Sequence, residues 1–433
     1  MDLMLLKLET NTFLYGGIVK AGNKIRISSQ LRDSRTGEIF KSFEVDGDTE
    51  DDFIEIIDSL SILIRNHLEI EAISQDASYN ENLWANTQSP EAYRYFLRGI
   101  NRFFVSDYSS AIDLFTEAIK EDPTFVNGKL FLSVAYHNDY QFDKVIQIIN
   151  ALNENINNIT YFGQLFTKYW KAYYDKNLLE CIRITNLMLD DDEQQRGLWY
   201  NLGYSYNLLH QYENAAYAFE EALELDEKWG GNWKWMPVYI NSGHDYHIIG
   251  NHIREREIYE LALTIEPNNR SIIARQAICA LSLGDTIEAN GYLTKYFTIR
   301  EERGLTEVQK QNILGNIYWD ANILEKAEKY YREALDLRPN FTTAMNNLAS
   351  MYFQNDINIS QGMELINIAL EFYPESYSYT HTKGWGLFME GKHEESLKLL
   401  EKSWESRPTY SHQHYLHIQE VKQALANQKS EQN

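Results

Sequence analysis

Along the first seventy residues the apolar positions change period twice. Ile25, Ile27 and Leu31 alternate with Arg26, Ser28 and Arg32, the period of two expected of a half-buried strand. The turn signals Ala21-Gly22-Asn23 and Ser34-Arg35-Thr36-Gly37 flank it. From Asp51 to Ile70 the spacing becomes helical, with Phe53, Ile56, Ile57, Leu60, Ile64 and Leu68 on one stripe. The predicted order is short helix, three strands, helix. A three-stranded sheet under one helix leaves an unpaired edge. The expectation is therefore a partial module, with a strand and part of a helix lying upstream of this chain.

Beyond residue 92 the chain repeats itself. Four segments fall into one frame of 34 positions. One reads Trp199, Leu202, Gly203, Tyr206, Ala215, Phe219, Ala222, and another Leu314, Gly315, Tyr318, Ala327, Tyr331, Ala334, Pro339. The others are Tyr95, Gly99, Ala111, Phe115, Ala118, Pro123 and Tyr239, Gly243, Tyr246, Tyr259, Ala262, Pro267. Pro339, Pro374 and Pro408 recur at 35 and 34 residues. Small residues such as Gly203 and Ala215 let two helices approach; the late proline ends the second helix of each pair.

The pattern of aromatic, Leu-Gly, Tyr, Ala, Phe/Tyr, Ala and Pro resembles the tetratricopeptide (TPR) signature. The resemblance implies a mainly α fold, a right-handed TPR α-solenoid of about nine helical hairpins preceded by a small α/β segment. A lone hairpin cannot bury its apolar face, so stacking makes the core. Weaker copies at 126–159, 161–195, 270–303, 342–375 (with a one-residue slip near Asn355–Ser360) and 377–408 fill the gaps. The expected domains are 1–72 partial α/β module, 73–91 linker, 92–408 TPR array, and 409–433 capping helix and tail. Extra residues near Lys228–Lys234 and Arg300–Leu305 interrupt the period.

A second resemblance concerns residues 12–70. Leu14-Tyr15-Gly16-Gly17, Gly22-Asn23-Lys24-Ile25-Arg26-Ile27, Gln30-Leu31 and Thr36-Gly37-Glu38 are similar to an α/β module of bacterial proteins. That module precedes TPR arrays in adenylate cyclases, membrane Ser/Thr kinases and winged-helix regulators. Ser89-Pro90-Glu91-Ala92-Tyr93 and Leu97-Arg98-Gly99 look like the start of those arrays. The resemblance implies the regulatory or sensory part of a larger bacterial signalling protein.

Charge and composition narrow the partners. The chain has 433 residues, 40 Lys+Arg against 63 Asp+Glu, and a net charge of −23. Such a surface repels nucleic acid and anionic membrane, so neither is an expected partner. The two cysteines, Cys181 and Cys279, allow no disulfide framework and no Cys-based zinc site. No apolar run approaches the roughly 18 residues of a bilayer span, and no signal peptide is visible. A cytoplasmic place is the default expectation, or an extracytoplasmic one if a membrane segment precedes the chain.

Candidate chemistry is sparse. His244, His247 and His252 lie close together with Asp245 between, and read as groove or rim histidines rather than metal ligands; His412, His414 and His417 are poorly spaced for one helix face. Asp190-Asp191-Asp192-Glu193 lacks the pattern of a calcium loop. No phosphate loop, nucleophile elbow or zinc-protease motif is present, so no enzyme, no cofactor and no metal is expected.

In the TPR family the first helix of each repeat lines the concave wall. The resemblance places Asn201, Asn241, Asn312, Asn316, Asn346 and Asn347 on or beside groove positions. Asparagine amides can pair with a peptide backbone, and Tyr200, Tyr204, Trp319, Phe353, Trp385 and Phe388 would anchor apolar side chains. A protein or peptide ligand is the leading expectation. The alternative is a carbohydrate or small-molecule sensor binding in the aromatic-rich concave groove, with Trp229, Trp233 and Trp235 as a stacking platform. A carboxylate clamp is not expected, because Arg275 stands alone at the groove positions.

Overall fold

The structure, a computed structural model, describes residues 12–21, 24–49, 52–76, 87–228, 230 and 233–431. The short helix expected at the N-terminus and the turn at 22–23 lie outside the described residues. The chain divides into two compact units, Met1–Leu152 and Asn153–Asn433.

The first unit opens with an antiparallel meander: β1 (Thr12–Ala21), β2 (Lys24–Asp33) and β3 (Ile39–Gly47), in the order β1-β2-β3. Leu14 faces Leu31 and Ile18 faces Ile27 across the first pair; Ile27 faces Val45 across the second. Helix α1 (Phe53–Asp76) covers one face. Ile25 and Ile27 pack there with Ile56 and Leu60, flanked by Phe43, Val45 and Ile64. The alternation read in β2 is thus the alternation of burial. The stripe on α1 is only partly covered, for Phe53, Ile57 and Leu68 stay exposed. Two helical hairpins complete the unit: α2 (Pro90–Phe104) with α3 (Tyr108–Glu121), and α4 (Val126–Asn138) with α5 (Phe142–Glu154).

The second unit carries seven more hairpins. They are α6 (Tyr161–Tyr174) with α7 (Leu178–Asp191), α8 (Arg196–Leu208) with α9 (Tyr212–Lys228), and α10 (Met236–Ile248) with α11 (His252–Ile265). Then come α12 (Arg270–Ser282) with α13 (Thr286–Glu301), and α14 (Glu307–Asp320) with α15 (Leu324–Leu337). Last are α16 (Thr342–Gln354) with α17 (Ile359–Phe372), α18 (Tyr377–Met389) with α19 (His393–Ser406), and the final helix α20 (His412–Glu431). No helix among the described residues is long and apolar enough to cross a membrane.

Every hairpin turns on one residue in the left-handed region. These are Ser106, Tyr140, Lys176, His210, Gly250, Gly284, Asn322, Asp356 and Gly391, with φ between 52° and 80°. They set a frame more regular than the side-chain signature. Seven residues before the turn residue stands a glycine in five hairpins (Gly99, Gly203, Gly243, Gly315 and Gly384) and Ser133, Ala277 or Ala349 in three others. A missing Cβ there admits the ring of the second helix: a Cβ on Gly99, Gly203 or Gly315 would lie 2.5, 2.7 or 2.5 Å from Phe115, Phe219 or Tyr331. The sixth-helix hairpin reverses the sizes, with buried Tyr169 and Thr185 at those two positions. Five residues after the turn stands a small buried residue, such as Ala111, Cys181, Ala215, Ala289, Ala327 or Ser396.

The irregular places have local causes. The slip near Asn355–Ser360 is absorbed by a second left-handed residue, Asn358, with φ 47°. At the end of α9 Arg196 and Asp226 form a buried ion pair. Asp226 also accepts from the Trp233 backbone N–H at 3.2 Å, and the Arg196 guanidinium lies 4.7 Å from the Trp233 ring centre. After α13 the insertion turns at Gly304 (φ 80°), and Lys310 reaches Glu301 at 3.0 Å.

Candidate functional site

In the second unit the first helices α8, α10, α12, α14, α16 and α18 pack side by side, while each second helix packs behind them. The row of first helices makes a wall, and the amides expected on it meet there. Asn347 donates to Asn316 at 3.0 Å and to Asn312 at 3.3 Å. Asn316 also accepts from the Tyr331 hydroxyl at 2.7 Å. Asn346 accepts from Thr382 at 2.8 Å, and Asn241 donates to the Tyr200 hydroxyl at 3.4 Å. Side-chain amides thus tie α8 to α10, α14 to α16 and α16 to α18. Asn201, Asn316 and Asn347 remain half-buried, with further lone pairs and N–H groups to offer.

The aromatic residues divide. Tyr200 and Tyr204 stack with centroids 6.0 Å apart and stay half-buried, as does Trp319. Phe353 does not stand on the wall surface. At 1% exposure it is wedged between Gly362 and Gly386, two positions where a Cβ would collide with its ring. Position in the repeat frame put it in the groove; the extra volume freed by two glycines drew it into the core. Trp385 and Phe388 stack on each other at 4.7 Å, and Trp385 is covered by the His417 ring of α20 at 3.6 Å. Trp233 and Trp235 are buried, so their faces do not form an open stacking platform; Trp229 lies outside the described residues.

Charge on this wall is sparse but specific. Arg275 of α12 stands 3.7 Å from Asp320 of α14. Burial raises the Asp320 carboxyl above its usual range, against the pull of Arg275. Asp245 on α10 is fully buried, accepts from Asn207, and is likewise raised by burial.

Residues 197–228 and 311–341 match the tetratricopeptide repeat family model. The chain carries tetratricopeptide repeats. The matched segments are the hairpins α8–α9 and α14–α15, those with the fullest signature. No curated protein matches the chain. Similar solved structures include a tetratricopeptide repeat protein from Parabacteroides merdae, 14% identical over 60% of this chain and 97% of that one, TM-score 0.36. The Cut9–Hcn1 hetero-tetramer of the APC/C matches at 14% identity, over 83% of this chain and 81% of that one, TM-score 0.35. Yeast Tom70 matches at 14% identity, over 86% and 96%, TM-score 0.34. TPR folds are typically scaffolds for protein interaction.

The repeat frame also exposes what the sequence reading passed over. In the α10–α11 hairpin the small residue five places after the turn is replaced by Glu255. Two of the histidines read as rim residues, His247 and His252, turn their Nδ1 atoms onto this carboxylate at 3.1 and 2.8 Å. The signal was available: a charged residue at a signature alanine position, three residues after a histidine. A second histidine group forms from residues distant in sequence. His381 Nε2 and His417 Nδ1 are 3.1 Å apart, and His414 Nε2 lies 2.8 Å from the Leu400 carbonyl oxygen. His414 and His417 share a face of α20 after all, one turn apart.

Proposed function

We propose that this protein is a non-catalytic scaffold whose first-helix wall in the second unit holds an extended segment of another protein. The observation that carries the reading is the set of half-buried asparagine amides on the first helices on either side of α12: Asn201 and Asn241 on α8 and α10, Asn316 and Asn347 on α14 and α16. They already pair across repeats as they would pair with a peptide backbone, as Asn347 does with Asn312 and Asn316. Tyr200, Tyr204 and Trp319 beside them supply apolar contact. The net charge of −23 favours a protein partner over nucleic acid. The meander and helix of the first unit, with the resemblance noted for residues 12–70, support a regulatory role within a bacterial signalling protein.

The test is a pull-down with the intact chain against the variant carrying Asn201→Ala, Asn241→Ala and Asn347→Ala. Loss of partners from the variant supports the reading. Equal retention by both removes the asparagine wall from it.

A further inference from the structure

Glu255 is the strongest departure from the repeat pattern in the described residues. Its place in the second helix belongs to a small side chain, because the two helices of a hairpin touch there. At 1% exposure the carboxylate sits in that contact. Burying a charge costs several kcal/mol unless it is paired. Among the described residues its ion-pair partners are two imidazoles, His247 and His252, rather than a Lys or Arg.

The backbone holds these three side chains in place. His247 lies in the last turn of α10, and its carbonyl accepts from the Gly250 N–H at 3.1 Å. Gly250 takes φ 78°, which a residue without a Cβ adopts freely. Asn251 caps α11 by accepting from Arg254 N–H at 3.2 Å, so His252 is the first residue of the helix. Glu255 follows one turn later on the same face. The two imidazole rings have centroids 5.2 Å apart and an interplanar angle of 65°, and both Nδ1 atoms lie against the same carboxylate.

We propose that His247 Nδ1, His252 Nδ1 and a Glu255 carboxylate oxygen form a binding site for a zinc-class divalent transition metal at the tip of this hairpin. One ligand atom from each residue lies within 4.8 Å of the other two. Zinc with N and O ligands at about 2.0–2.2 Å in a tetrahedron sets neighbouring donors roughly 3.4 Å apart. The separations of 2.8–3.1 Å to Glu255 would widen, and the spread of up to 4.8 Å among the three ligand atoms would close, by turning the two rings. Two imidazole nitrogens favour zinc, cobalt or nickel over calcium or magnesium, which take oxygen ligands. A divalent ion would offset the buried carboxylate more fully than hydrogen bonds from two imidazoles, and would take the place of any proton on their Nδ1 atoms. His247 and His252 are partly exposed, which gives the ion a path inward. The thiol of Cys279, on the next hairpin, also lies within hydrogen-bonding reach of Glu255; three ligands leave the fourth position to water or to this thiol.

The experiment uses the full chain, stripped with a chelator and titrated calorimetrically with zinc chloride, then cobalt chloride, then calcium chloride. The expected result is one zinc per chain at micromolar Kd or tighter, cobalt at the same site, and calcium far weaker. Glu255→Ala restores the residue type of the other repeats and should fold as well as wild type while losing zinc affinity by more than about 100-fold. His252→Gln, at a partly exposed position, should lose it too and serves if Glu255→Ala misfolds. Zinc should raise the Tm of wild type and leave both variants unmoved. Failure of wild type to bind one zinc, or zinc affinity in both variants equal to that of wild type, overturns the proposal, as would calcium binding as tightly as zinc.

Discussion

Lys176 donates from Nζ to the backbone carbonyl oxygen of Trp404, 228 residues later. The ammonium also lies 4.8 Å from the Trp404 ring centre. Lys176 is the left-handed turn residue of the α6–α7 hairpin, and Trp404 lies near the end of α19, so the first and last hairpins of the second unit meet. His210, the turn residue of the next hairpin, reinforces the closure by resting against His412 with centroids 4.8 Å apart. The row of hairpins in the second unit therefore curves back until the turns of its first two hairpins touch α19 and α20. Repeat number and the small rotation between neighbours bring this about.

The closure should be measurable. Lys176→Ala removes a charge-assisted hydrogen bond and a cation–π contact, a loss of about 1–3 kcal/mol at a partly exposed site. Small-angle scattering should show a larger radius of gyration for the variant, with helix content unchanged by circular dichroism. An unchanged radius would mean that the closure rests on the rest of the interface.

The close approach within hairpins gives a paired prediction. Gly315→Ala places a Cβ 2.5 Å from the Tyr331 ring and should cost about 1–3 kcal/mol in urea unfolding. Gly197→Ala, also in a first helix, meets nothing within 4 Å and should stabilise by up to about 1 kcal/mol. Equal effects of the two would contradict the packing described.

The Arg196–Asp226 pair is nearly dry, with side chains 9% and 5% exposed. Arg196→Ala strands the buried carboxylate and should cost about 3–5 kcal/mol. Arg196→Leu combined with Asp226→Leu should cost markedly less, because no charge is left unpaired. Thermal unfolding of the two variants side by side makes the comparison.

Acid should loosen the C-terminal end. Burial lowers His414 and His417 to about 4 and His381 to about 2. Arg407 adds to the effect on His381 and His414, and Lys176 on His414, while the Leu400 carbonyl opposes it. The folded state thus takes up protons at lower pH than the unfolded chain does. Their contribution is whole above the unfolded value near 6.5 and is lost as pH falls from there toward about 4. The urea midpoint should fall between pH 7 and pH 5, and less steeply in His417→Gln. A flat profile would contradict the burial of these rings.

Much of the fold was legible because it repeats. The frame around Gly203, Phe219 and Gly315, Tyr331 states a contact that recurs, and repetition makes even the weak copy at α6–α7 readable once Tyr169 and Thr185 are seen to exchange sizes. The burial phase of β2 was equally plain. What the sequence hid is tertiary. Phe353 holds a groove position in the frame yet is drawn inward by Gly362, which takes the small-residue position of its own hairpin, and by Gly386, a glycine outside the repeat signature. Trp385 is covered by His417, which belongs to a helix outside the frame. The Arg196–Asp226 pair joins residues whose charges look superficial in one dimension. His247 and His252 read as rim residues until Glu255 is placed in the repeat frame as the missing alanine.

The central claim is that the first-helix wall holds the partner. Site-specific photo-crosslinking tests it most directly, with a benzophenone amino acid placed at Asn201 on that wall and, in a second sample, at exposed Tyr217 on α9 behind it. The account predicts that a partner protein purified with the chain is crosslinked from position 201 and not from position 217. Crosslinking from 217 with none from 201 would contradict it.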